Sequence, residues 1–296
     1  MLILDKPSGI SSAGLIRSIQ HRFHIQKAGH GGTLDPMATG VLLMCVNEAT
    51  KMAPYLLTSD KVYEGTLLLG VETDTYDLTG KIIATDESKR IDDATLKDQF
   101  QKNLGWIEQR VPVYSAVKQK GKPLYHYARN HKKIECPIRK VRIDQFEMMG
   151  RMGDEVRFHL KCSKGTYVRA LCHDVGHQLG TVACLKTLKR VQCGLFHLKD
   201  AISADALTQR CFTDSPHWIS LREMCRCFAS LSLTASLAKK VRNGYQPRFM
   251  DVFQSDPTDL VHQPWICFLD ETERPLAMAI PQKERQLFQL TRVFNV

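Results

Sequence analysis

The chain has 296 residues, 43% of them hydrophobic and 24% charged, with a formal net charge of +10. This is globular composition for one large domain, or a large domain and a small one, and it can bury a sizeable core. No apolar run approaches the ~20 residues of a membrane span, and Asp5 and Lys6 interrupt the stretch where a secretory leader would need its apolar run, so a cytoplasmic protein is expected.

Leu15, Ile16, Ile19 and Phe23 fall on one face of a predicted helix over 12–23, with Ser11 or Ser12 as its cap. The run VLLMCV at 41–46 fits a buried strand or a helix segment equally well, because periodicity does not separate the two. Residues 61–69 read as a strand, and Leu96, Phe100 and Leu104 as a helix stripe that Gly105 ends. The clearest strand is 155–162, where Val156, Phe158, Leu160 and Cys162 alternate with Glu155, Arg157, His159 and Lys161. It leads through the turn Ser163-Lys164-Gly165 into a helix that carries Val168, Leu171, Cys172, Val175 and Leu179 and stops at Gly180. Between 205 and 230 the periodicity fades, so a domain boundary is placed there, giving domains 1–225 and 226–296. From Leu231 a new pattern starts, and short strand-like pieces at 265–269 and 276–280 follow it.

The positive charge is clustered. Residues 117–142 hold nine lysines and arginines against Glu135 alone, and residues 161–199 hold seven against Asp174 alone. Such clusters point to a polyanion as partner. The ten cysteines are scattered with no CxxC, which suits reduced thiols acting as small core residues.

Residues 29–40, Gly-His-Gly-Gly-Thr-Leu-Asp-Pro-Met-Ala-Thr-Gly, are unusual. Three glycines allow positive φ and close backbone approach, and Pro36 keeps Asp35 out of helical geometry. The result is a carboxylate on a stiff bend. Taken alone, the segment fits an Asx-type turn equally well.

This segment resembles the GHxGTLDPxATG loop of the TruB family of RNA pseudouridine synthases. Further resemblances lie in the same order along residues 1–200: Lys6-Pro7-Ser8-Gly9 with Ser11-Ser12, Lys61-Val62-Tyr63 with Thr73-Asp74-Thr75, Tyr114-Ser115-Ala116-Val117-Lys118, Tyr125-His126-Tyr127-Ala128-Arg129, Ser163 to Arg169, and Leu185 to Arg190. Gly31 stands where the family often has Thr, which would loosen the loop, and Val111-Pro112 where it often has Pro-Pro.

The resemblance implies an α+β fold: a mixed, mainly antiparallel central sheet with flanking helices, plus a small β-rich PUA-like C-terminal domain. It implies isomerisation of uridine 55 in the T loop of tRNA, with Asp35 as the catalytic carboxylate, acting as nucleophile on C1′ or first removing a sugar proton. Tyr63 would stack on the extruded base and Arg169 would keep Asp35 charged, completing the catalytic set. His30, Lys6, Lys164, Tyr167 and Leu188 would contact substrate, His30 by taking the vacated place in the stack. The reaction loses no group and changes no oxidation state, so no cofactor and no metal are expected. The expected partner is the T arm of tRNA, gripped by the basic stretch 118–142, and a monomer with no protein partner is expected.

Two other readings compete. A non-catalytic RNA-binding protein would share the basic patches but would not need Asp35, Tyr63 and Arg169. A zinc hydrolase is suggested by His173 and His177, four apart on one helix face. No third ligand is evident in the sequence, and Leu171, Val175 and Leu179 claim much of that helix for the core.

Overall fold

The computed structural model describes all residues except 88, 89, 131–133, 214, 254–258 and 296, so Lys132 and Lys133 of the basic stretch lie outside the described residues. The chain opens with β1 (Leu2–Lys6), α1 (Ser12–Arg22), β2 (Ala28–His30), β3 (Thr39–Val46), α2 (Ala53–Leu56) and β4 (Lys61–Leu69). A small hairpin follows, β5 (Val71–Thr73) with β6 (Ile82–Thr85), then α3 (Asp93–Lys102) and β7 (Gly105–Arg110). Next come a second hairpin, β8 (Lys118–Gln119) with β9 (Lys122–Pro123), and α4 (Leu124–Arg129). The long pair β10 (Ile138–Met152) and β11 (Glu155–Cys162) leads to α5 (Val168–Gln178), β12 (Ala183–Cys193), β13 (Phe196–His197) and β14 (Ile202–Ser203).

These strands form one sheet in the order β14-β1-β3-β12-β4-β11-β10-β7, with β2 added to β3 and β13 to β12. Pairing is antiparallel except for β1 with β14 and β3 with β12. The fold is therefore α+β around a mainly antiparallel sheet, as expected.

Residues 39–46 are a strand whose two faces meet two different cores. Val41, Leu43 and Cys45 join one cluster with Tyr55 and Leu56, while Leu42, Met44 and Val46 join another with Leu15, Ile16 and Ile19 of α1. A strand buried on both faces has no polar positions to alternate with, which is why the sequence left it ambiguous. In contrast, β11 buries one residue in two, and its bounds match the alternation read from the sequence. Helix α1 is capped by Ser11, whose side chain accepts from the Gly14 amide.

Register sets up the site. Leu160 of β11 faces Tyr63 of β4, Tyr63 faces Arg190 of β12, Arg190 faces Gly40 of β3, and Gly40 faces Lys6 of β1. Residues in register share a face of the sheet, so one row across five strands carries Tyr63, Arg190 and Lys6. Gly40 sits in the middle of that row at φ +96°, and a Cβ there would lie 2.3 Å from the Arg190 carbonyl oxygen.

The remainder of the chain forms α6 (Leu221–Cys225), β15 (Ala229–Ser232), α7 (Ala235–Arg242), α8 (Phe249–Val252), β16 (Ile266–Leu269), β17 (Pro275–Gln282) and β18 (Leu287–Val293). The four strands make a separate sheet in chain order, with its own core of Leu237, Val241, Phe249, Phe268 and Phe288. This C-terminal β domain packs on the large sheet through Cys267, Met278 and Phe294. All ten cysteines are free thiols, eight of them buried. No described helix is long and apolar enough to cross a membrane.

Gly40→Ala is expected to lower unfolding stability by more than about 2 kcal/mol in denaturant titration, since strain and a backbone clash combine. A loss below about 0.5 kcal/mol would contradict this reading of the row.

Candidate active site

The loop after β2 is fastened from below, strut by strut. Ser12 Oγ accepts from the Leu34 amide at 2.8 Å and donates to the Leu34 carbonyl at 3.1 Å. Lys6 Nζ donates to the carbonyls of Pro7, Ile10 and Pro36 at 2.7, 2.7 and 3.1 Å. The Gly9 amide adds a second bond to the Pro36 carbonyl, and Ser8 Oγ donates to that of Met37. From β12, Arg190 donates to the carbonyls of Gly32, Thr33 and Val41. Gly32 takes φ +140°, a conformation that L side chains rarely adopt, with the guanidinium Nη1 in ordinary contact range, 3.5 Å from where a Cβ would sit. Gly31 is not loose: Leu56 of α2 stands 2.9 Å from its Cβ position, so the missing side chain is filled by packing.

Asp35 rides on this loop and meets Arg169 of α5. Arg169 Nε donates to Asp35 Oδ2 at 3.0 Å, Nη1 to the Thr75 carbonyl at 2.8 Å and Nη2 to the Tyr114 carbonyl at 2.6 Å. The arginine side chain is 3% exposed and the aspartate 33%, so the cation is sealed while the carboxylate opens to a space. A buried guanidinium requires its donors to be matched, and here each nitrogen of the fork has an acceptor. The start of α5 is itself pinned, because the buried amide of Gln109 accepts from the Tyr167 amide at 2.7 Å and donates to its carbonyl at 3.1 Å.

That space is a cleft of about 780 Å³ walled by Asp35, Tyr63, Tyr167, Arg169 and Leu188 together. This volume is within the usual range of small-molecule sites and suits a single extruded nucleotide. Tyr63 is buried at the cleft floor, and burial pushes its phenol up to about 12, so it stays protonated near neutral pH. Leu188 is at once a cleft wall and a core residue. The Tyr167 ring lies under the Arg169 guanidinium at 5.8 Å.

Three residues expected to contact substrate do not line the cleft. Lys6 is fully buried, and its amine is held by three backbone carbonyls, so it braces the loop instead of reaching outward. His30, on β2, turns Nδ1 into the protein, and burial followed by the nearby Arg190 charge lowers its pKa from 6.5. Lys164 is exposed on the turn whose neighbours Ser163, Gly165 and Thr166 form the rim.

Two functional residues were not singled out from sequence. Arg190 was part of a quoted motif, but nothing local says it is buried under the loop. Asp77 lines the cleft and organises the 73–79 turn, accepting from Thr75 Oγ1 at 2.9 Å and the Thr79 amide at 3.0 Å. That turn presents the Thr75 carbonyl to Arg169.

The two basic clusters divide. Lys118, Lys120, Lys122, Arg139 and Lys140 are exposed, beside the cleft-lining Val117, Tyr125 and Arg139. Of the seven in 161–199, Arg169 and Arg190 are buried and serve the interior.

The fold and this constellation define a pseudouridine synthase, and comparison with known proteins agrees. Residues 20–168 match the TruB family pseudouridylate synthase (N terminal domain), and residues 169–226 match the tRNA pseudouridylate synthase B C-terminal domain. The chain is 39% identical to tRNA pseudouridine synthase B of Syntrophus aciditrophicus, over 83% of this chain and 80% of that one. It is 35% identical to the protein of the same name from Syntrophotalea carbinolica, over 100% and 97%. A solved Cbf5-Nop10-Gar1 complex shares the fold at a TM-score of 0.75 and 20% identity, over 99% of this chain and 84% of that one. The chain belongs to the TruB family of pseudouridylate synthases.

Burial lowers the Lys6 pKa from 10.5 to about 8, with the Asp35 charge opposing the shift. Between these values the unfolded chain binds the extra proton, so stability attributable to Lys6 rises as pH rises from about 8 to 10.5. The stability gap between wild type and Lys6→Met, read by urea titration across that window, is expected to shift in favour of wild type with rising pH. A gap independent of pH would contradict the assignment.

Proposed function

We propose that the chain converts uridine 55 in the T loop of tRNA to pseudouridine, with Asp35 as nucleophile. The observation that carries this reading is the half-open Asp35 carboxylate held at 3.0 Å from the sealed Arg169, at the wall of a nucleotide-sized cleft.

The reaction proceeds on an extruded base, since a stacked uracil cannot reach a carboxylate in a cleft. Asp35 attacks C1′, and uracil leaves with the N1–C1′ electron pair. The freed base stays between Tyr63 and Leu188, turns, and presents C5 to C1′. The C5–C1′ bond forms as the Asp35 ester bond breaks, which returns the carboxylate. C5 then loses its proton and N1 gains one, so atoms and charge balance without a redox step. Because Tyr63 is a phenol near neutral pH, its part is to pack against the base and offer a hydrogen-bond donor. Arg169 aims the nucleophile without touching the sugar.

The exposed lysines and arginines of 118–140 suit the backbone of a folded RNA stem. The expected C-terminal domain, 226–296, is read as a PUA-like module that adds a contact to the acceptor stem. Glu72, His173 and His177 lie outside the cleft lining, which disfavours a hydrolase that would use them on the same substrate.

Asp35→Asn is expected to bind tRNA with near wild-type affinity yet release no tritium from C5-labelled uridine. Normal turnover by that variant would remove Asp35 from the mechanism, and activity confined to another tRNA position would remove the T loop as target.

A further inference from the structure

Beyond the cleft, α5 carries a second functional face. Arg169 is in its first turn, and His173 and His177 follow at four-residue steps along the same side. Facing them is Glu72 of β5, a residue far away in sequence. His173 Nε2 lies 3.0 Å from Glu72 Oε1, and His177 Nε2 lies 3.4 Å from Glu72 Oε2. The ligand atoms of all three side chains fall within 4.8 Å of one another, the one such group among the described residues.

We propose that Glu72, His173 and His177 form a binding site for a divalent transition-metal ion of the zinc type. Three features favour a site over a plain ion-pair cluster. First, bonds of 2.0–2.1 Å to a tetrahedral centre put neighbouring ligand atoms about 3.4 Å apart; each histidine Nε2 lies 3.0 or 3.4 Å from one of the two Glu72 oxygens, and one ligand atom from each residue falls within 4.8 Å of the others, so side-chain rotation alone can gather the three around one ion. Second, Asp174 Oδ1 lies 3.1 Å from His173 Nδ1. A carboxylate there accepts a hydrogen bond from Nδ1–H and leaves Nε2 with its lone pair free, the outer-shell arrangement that orients metal-binding histidines. Third, the Tyr76 ring packs against His173 at 4.0 Å, tilted by 32°, and restricts its rotation, while the His177 side chain is 51% exposed and leaves a path for entry and a water in the fourth position. Two imidazoles and one carboxylate select zinc, cobalt or nickel over magnesium or calcium.

The ion would do structural work on the neighbouring site. Glu72 is three residues before Thr75, whose carbonyl accepts from Arg169, and His173 is one turn beyond Arg169 on α5. A metal joining the two would clamp the β5–β6 hairpin to α5, and so steady the wall that holds the arginine. This inference is independent of the substrate and of the role given to Asp35.

Cobalt(II) titration of chelator-treated full-length protein tests it. Visible d–d bands of tetrahedral or five-coordinate cobalt are expected to saturate at one ion per chain, without a thiolate charge-transfer band. Glu72→Gln and the exposed-site variant His177→Ala are each expected to weaken binding by more than about 100-fold, and zinc is expected to raise the Tm of wild type but not of either variant. Absence of saturable binding at 100 µM cobalt, a thiolate band, or binding undiminished in both variants would overturn the proposal.

Discussion

A buried guanidinium with each of its nitrogens engaged is the constraint on which this structure turns. Arg169 is held by two backbone carbonyls from separate segments, at Thr75 and Tyr114, and its third nitrogen, Nε, donates to Asp35. The planar fork meets three acceptors at once, a geometry that an ammonium point charge cannot reproduce. Removing any acceptor would leave a donor of a buried charge unmatched, so the chain segments around the cleft are tied to one another through this side chain. The aspartate is stiffened from the opposite side, where Lys6, Ser12 and Arg190 secure the loop that carries it. The carboxylate proposed as nucleophile is thus positioned by the resting fold, which is what orientation-based rate enhancement requires.

The sequence made much of this legible and hid the rest for definable reasons. The 155–162 strand was clear because one of its faces is polar, while the run 41–46 was ambiguous because neither face of its strand is. Asp35 stood out because glycines and a proline surround it. What no local pattern could give was the row from Leu160 through Tyr63, Arg190 and Gly40 to Lys6, since register joins residues up to 184 positions apart, as between Lys6 and Arg190 through Gly40. Lys6 therefore read as a substrate contact when it is a buried brace, and Arg190 entered only as one charge of a basic cluster and the last residue of a motif. Glu72 was unreadable as a partner for His173 and His177 because only the β5–β6 hairpin brings it to α5.

Charge in this chain serves two ends. Lys6, Arg169 and Arg190 are buried and shape one loop and its carboxylate, while Lys118, Lys120, Lys122, Arg139 and Lys140 are exposed to a polyanion. Counting net charge along the sequence merges these roles. Burial separates them, and it assigns to the interior the arginines that build the site.

The central claim is that Arg169 orients Asp35 and is not needed for RNA affinity. Single-turnover pseudouridine formation by Arg169→Met at saturating tRNA, set beside its equilibrium tRNA binding, tests this most directly. The rate is expected to fall by at least about 100-fold with binding within a few-fold of wild type. A near wild-type rate, or a loss wholly in binding, would contradict the account.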